Sequence, residues 1–248
     1  MMGVSSANAP ALDLPARFMA LGITGLVISA LSAPWSLPLL QEHFSTFRLL
    51  AFVHLNTLGF VGAMLIGASY QLVPVAIQTP LASVRLGRWS FWCYGLGLVV
   101  FLVGLAQTWL FGLAAGATLL GIGFLLYTGI ILVTWRRTPD RDVVSWHIAL
   151  GVINAWMGMT MGVTLAFNKS NGILGSGVLD HLAAHITLML GGWVALTLFG
   201  VAYRLIGMFT LAEQHFNRRL AWAELVLIEG GVWLLVTRFT AHMPGLYA

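Results

Sequence analysis

The chain has 248 residues, of which 59% are hydrophobic and only 8% charged, and its mean hydropathy is +0.90. This balance excludes a soluble globular domain and predicts an integral membrane protein. The formal net charge of +4 reads as membrane orientation signals and not as a nucleic-acid footprint, and the single cysteine, Cys93, excludes an intramolecular disulfide and any multi-cysteine metal or cluster site.

The apolar runs are about 20 residues long, the length a helix rising ~1.5 Å per residue needs to cross ~30 Å of hydrocarbon. They lack the alternation of an outer-membrane barrel. The expected fold is all-α: a polytopic membrane helical bundle. The N-terminal MMGVSSANAPALDLPAR has no basic segment ahead of a short apolar core, so no cleaved signal peptide is expected. Seven helices are predicted at about 16–33, 48–73, 89–108, 111–135, 145–167, 181–208 and 219–238. The connections at Ser32 to Pro38, Gln78 to Arg88, Thr138 to Asp142, Lys169 to Gly177 and Thr210 to Arg218 carry the residues that break or cap helices. A single transmembrane domain over residues 1–248 is expected.

Basic residues set the expected orientation. Arg17, Arg85, Arg88, Arg136, Arg137, Arg141, Arg204, Arg218 and Arg219 fall on one side, against Arg48, Lys169 and Arg238 on the other. The positive-inside rule then puts the N-terminus in the cytoplasm and the C-terminus outside, as in a bacterial-type inner membrane. His43, His54, His181, His185 and His242 lie toward the outer face, and His147 and His215 near the cytoplasm.

The chain repeats itself at an offset of 133 residues. Gly59, Val61, Leu65, Gly67, Tyr70 and Leu72 match Gly192, Val194, Leu198, Gly200, Tyr203 and Leu205, and Arg85, Trp89 and Gly97 match Arg218, Trp222 and Gly230. Ala20-Leu21-Gly22 echoes Ala149-Leu150-Gly151, relating the first helix to the fifth. The repeats cover about 16–135 and 145–238, and an even number of helices in the first makes them parallel. His54 aligns with Thr187 and His185 with Phe52, so the helices correspond but their histidines do not.

An imidazole in hydrocarbon is costly unless its nitrogens are engaged, and intramembrane ionisable residues are functional candidates by default. His54 and His185 are candidate ligands of a heme b iron or another metal; the alternative is a hydrogen bond to a neighbouring helix. His181, one turn from His185, either ligates in its place, completes a metal site with it, or is solvated. Gly59, Gly62, Gly191 and Gly192 make room for a macrocycle or for close helix contact. Arg48, Lys169 and Arg238 are placed to pair with propionates. His43 and His242 are expected at the surface. Gly158-x-x-x-Gly162 and the glycines of helices 3 and 4 are expected as packing surfaces, and Trp35, Trp109 and Tyr247 as interfacial residues. Met157, Met159 and Met161 fit core packing better than thioether copper ligation. Glu229 near mid-membrane and Glu224 closer to the cytoplasm are candidates for proton or quinol chemistry, since a glutamate buried without a cation readily holds a proton.

The stretch from Arg48 through His54, Gly59-Phe60, Gly62, Leu65-Ile66, Ser69-Tyr70 and Val73 to Trp89 resembles the second and third helices of the catalytic subunit of cbb-type heme-copper oxidases. His185, Gly192-Trp193-Val194, Gly200, Tyr203 and Leu205 resemble that subunit's tenth helix, which carries a His-x-His pair ahead of a Gly-Trp. The resemblance covers about half of the chain. It implies a low-spin heme b ligated by His54 in the outer half of the membrane, and a heme ligand at His185, the earlier member of the pair; the later member is Thr187 here. The adjacent histidines of the oxidase copper site have no counterpart, so a reduced, duplicated relative is expected and oxygen reduction is not. The expected function is b-type heme binding with electron transfer to or from a quinol or an outer-face redox protein. The alternatives are a protein that binds, moves or senses heme or copper for oxidase assembly, and a subunit that completes its cofactor site with a partner or a second copy.

Overall fold

The structure is a computed structural model and describes residues 8–210 and 216–241. His215, His242 and Tyr247 lie outside the described residues, as do the start of the N-terminal stretch and part of the connection expected at Thr210 to Arg218.

Among the described residues seven helices are long and apolar enough to cross a membrane: α1 (Asp13–Gln41), α2 (Phe47–Ala76), α3 (Val84–Ala106), α4 (Leu110–Arg136), α5 (Val143–Asn171), α6 (Gly175–Gly207) and α7 (Arg218–Thr240). Leu31, Phe111 and Leu227 are each at least 70% exposed along these spans, which places them against lipid chains. The chain is therefore a multi-pass, all-helical membrane protein.

Local chemistry sets the helix starts. The Ser83 side chain accepts from the Leu86 amide, Asp142 from Ser145, and Asn217 from Arg219 and Leu220. The Ser83 cap explains why α3 opens at Val84, inside the connection expected to run to Arg88. Gly172, at φ +65°, closes α5 in the left-handed conformation that glycine adopts freely. The break expected at Ser32 to Pro38 is displaced. Pro34 sits inside the helix, which continues to Ser36 and then tightens into a 3-10 turn over Leu37–Gln41. A proline in the last helical turn removes only its own N–H, and the Leu37 amide still reaches the Ala33 carbonyl.

Two of the spans change to π-helix along part of their length. In α2 a π-helical segment, Leu55–Gly62, follows His54 directly, and the helix resumes as Ala63–Ala76. In α6 a π-helical segment, Thr187–Ala195, follows His185 closely, and the helix resumes as Leu196–Phe209. The two resumption points, Ala63 and Leu196, are related by the sequence offset of 133.

The described chain divides into two compact units. The first takes in Pro10–Gln71 and Ser83–Tyr127. Here α1 crosses the π-helical segment of α2 with backbones nearly touching, since a Cβ on Gly25 would lie 2.5 Å from the Gly59 carbonyl oxygen. The α3 and α4 helices interlock through four glycines. Added Cβ atoms at Gly97 and Gly104 would fall on the backbone nitrogens of Leu120 and Leu113, and those at Gly116 and Gly123 on the nitrogens of Phe101 and Tyr94. Phe18 meets Tyr70, Phe91 and Tyr94 at ring separations of 5.3 to 5.8 Å. The buried tyrosine hydroxyls are paired: Tyr70 with Ser90 at 2.7 Å, Tyr127 with Ser69 at 3.1 Å, and Tyr94 with the Leu58 carbonyl at 2.8 Å.

The second unit takes in Leu72–Ala82 and the described residues from Thr128 onward. Arg204 ties three of its segments together. Its Nε donates to the Ala76 carbonyl in the last turn of α2 at 3.1 Å, and its Nη2 to Asp142 at 2.9 Å, while Asp142 also caps α5. Arg204→Ala is expected to cost about 1–2 kcal/mol, since both partners of the ion pair keep some exposure. Thermal unfolding in detergent measures this, and Arg204→Lys should recover only part, because an ammonium lacks the fork that reaches both acceptors.

Candidate functional site

Four histidines within the described spans form hydrogen bonds through Nδ1 to backbone carbonyls. His54 donates to Leu50 at 2.8 Å, His147 to Val143 at 2.7 Å and His181 to Gly177 at 3.0 Å, each one turn back on its own helix. His185 instead donates across to α5, to the Gly158 carbonyl at 2.7 Å. A carbonyl only accepts, so in every case Nδ1 carries the hydrogen, and in the neutral ring Nε2 is the nitrogen with the lone pair.

His185 lies in a seat made by α5. A Cβ on Gly162 would be 2.8 Å from the His185 Cε1, and one on Gly158 would be 2.7 Å from the Met189 sulfur. The Gly158-x-x-x-Gly162 surface therefore packs helices as expected and also houses the imidazole. His54 belongs to the first unit, where its ring and that of Phe101 meet edge to face with centroids 5.2 Å apart. His185 belongs to the second unit, so each is described in its own surroundings. His43 is exposed and paired with Ser45.

Of the two uses the sequence leaves open for the neighbouring glycines, the structure uses Gly59 and Gly192 for helix contact. Gly59 is where the α1 backbone crosses, and the space beside Gly192 is filled by the Asn154 side chain, 2.6 Å from an added Cβ. Arg48 is exposed, six residues before His54. Among the described residues no three His, Cys, Asp or Glu side chains gather as a metal-ion site.

The carboxylates of α7 are joined to α5 by a ladder that the sequence reading did not find. His147 is fully buried, and its Nε2 lies 2.8 Å from Glu224 Oε2, which also accepts from the Tyr203 hydroxyl at 3.2 Å. Asn154 is fully buried, and its Nδ2 donates to Glu229 Oε2 at 2.8 Å, while the Trp233 indole N–H donates to Glu229 Oε1 at 2.8 Å. His147 and Asn154 are two turns apart on one face of α5. That spacing of polar residues in an apolar helix was the signal available in the sequence.

Compared with known protein families, with curated proteins and with solved structures, the chain matches none. Fold and composition define a polytopic helical membrane protein with imidazoles and carboxylates set inside its spans.

Proposed function

We propose that the chain is a b-type heme-binding protein of the inner membrane that carries electrons in a respiratory-type chain, with His54 in the first unit and His185 in the second each an iron ligand through Nε2. The observation that supports this most is the local setting of these two histidines. Each holds Nδ1–H on a carbonyl, the arrangement that orients an iron-ligating imidazole, and each comes just before a π-helical segment, a distortion common at functional sites. The partial likeness to the cbb-type oxidase subunit supports the same reading. Within each unit the residue types suit heme b: His54 with the cation Arg48 in the first, and His185 with the cations Lys169 and Arg238 in the second. A bound heme would supply a one-electron Fe(III)/Fe(II) couple, exchanged with a quinol or an outer-face redox protein. The chain's own part is to fix ring orientation and limit water.

The test is the reduced-minus-oxidised spectrum of the purified protein, with variants at both histidines. The runner-up, a protein that binds or moves copper through His54, His181, His185 and the methionines, is separated by metal analysis: copper without heme favours it. The same reading places the N-terminus in the cytoplasm. Alkaline phosphatase fused after Thr240 is expected to be active, and green fluorescent protein fused there to be dark; the reverse pattern would invert the orientation.

A further inference from the structure

The second unit contains buried polar atoms that its own hydrogen bonds do not satisfy. Glu224 Oε1, Thr197 Oγ1 and Asn154 Oδ1 are each buried with no hydrogen-bond partner among the described residues, and Thr197 and Asn154 are at most 2% exposed. Thr197, Asn154 and His147, the partner of Glu224, fall in order along the α5–α6 contact. Gly200 of α6 faces His147, Thr197 faces Gly151, and Gly192 faces Asn154. A buried oxygen in a polar setting is satisfied by protein or by water, so each of these three atoms is an acceptor that a bound water would satisfy.

The hydrogen bonds of the two α7 carboxyls leave a place for a proton. Because Nδ1 of His147 carries a hydrogen for the Val143 carbonyl, its Nε2 and the Glu224 oxygen would face each other as lone pairs at 2.8 Å unless a proton lies between them. The pair therefore holds one exchangeable proton. Glu229 accepts from Asn154 and Trp233 and so is drawn as a carboxylate. Turning the Asn154 amide over would present its oxygen, now without a partner, to a protonated Glu229, so this contact serves either protonation state. With a rise of ~1.5 Å per residue, Glu224 lies about 9 Å and Glu229 about 16 Å along α7 from Arg218, the latter near the middle of the ~30 Å hydrocarbon layer.

We propose that this ladder is a proton path: the His147–Glu224 pair takes protons from the side where α7 begins and passes them, through water held by Thr197 and Asn154, to Glu229 at mid-membrane. The ionisable groups in its hydrogen bonds are His147, Tyr203, Glu224 and Glu229. The Arg204 guanidinium of α6 is engaged by Asp142 and Ala76.

Infrared difference spectroscopy on the full chain, with the buffer switched from H2O to D2O, tests this. The wild type should show a carboxylic acid C=O band that is lost in Glu229→Gln, displaced in Glu229→Asp, and shifted by deuteration on exchange. Thr197→Val, nearly the same shape without the hydroxyl, should slow that deuteration at least tenfold and leave the band amplitude unchanged. Thr197→Ser should restore the rate. Absence of any Glu229-dependent acid band across the accessible pH range, or equal exchange rates in wild type and Thr197→Val, would overturn the proposal. No bound cofactor is needed, so the outcome is separate from that of the heme spectrum.

Discussion

Gly116→Val is expected to leave little folded protein in the membrane, while Gly129→Ala is expected to be tolerated. The two positions lie on the same helix and differ in what a Cβ would meet. At Gly116 it would fall on the Phe101 backbone nitrogen, and the Phe101 Cα and Cβ are 2.6 and 2.9 Å away; at Gly129 nothing lies within 4 Å. Side chains can rotate out of an overpacked site but backbone cannot. The cost therefore belongs at or above the upper end of the usual range, about 3 kcal/mol, which for a chain of this size is roughly a 6–12 °C fall in melting temperature. Gly97, Gly104 and Gly123 make the same kind of contact and should respond alike. At Gly129 the only large term is helix propensity, which favours alanine by about 1 kcal/mol. Melting curves in detergent decide the matter, and equal melting temperatures for the two variants would refute the glycine interlock between α3 and α4.

The second large effect concerns the seat of His185. His185→Ala should abolish the heme signal assigned to that ligand. Gly162→Val should do nearly the same with the histidine intact, because the new side chain would begin 2.8 Å from Cε1 of the ring and push it off the Gly158 carbonyl. Gly158→Ala, whose Cβ would meet the flexible Met189 side chain, should be far milder. An unchanged heme spectrum in Gly162→Val would mean that the orientation of His185 does not matter to the cofactor.

The spans were legible because apolar length is a strong signal. All seven expected helices overlap observed ones, and the offset that relates Gly59 to Gly192 also relates the points where the two π-helical segments end. Pro34 was read as a break because sequence alone does not reveal that its helix needs only one more turn. The π-helical segments themselves were not legible: they keep the helical composition and change only the hydrogen-bond register. At the candidate site, His54, His185, Glu224 and Glu229 stood out as ionisable groups in apolar runs. Their partners did not. His147 looked like a residue near an aqueous end and Asn154 did not stand out, because the helix-to-helix contacts that bring them to Glu224 and Glu229 span more than seventy residues.

The central claim is the bound heme. Purify the full chain from cells supplied with ample heme and record its reduced-minus-oxidised spectrum, with pyridine hemochrome stoichiometry. The account predicts a sharp b-type α-band in the wild type that is lost or displaced in His54→Ala and in His185→Ala, with the protein still folded. A folded, heme-free wild type without an α-band would contradict it.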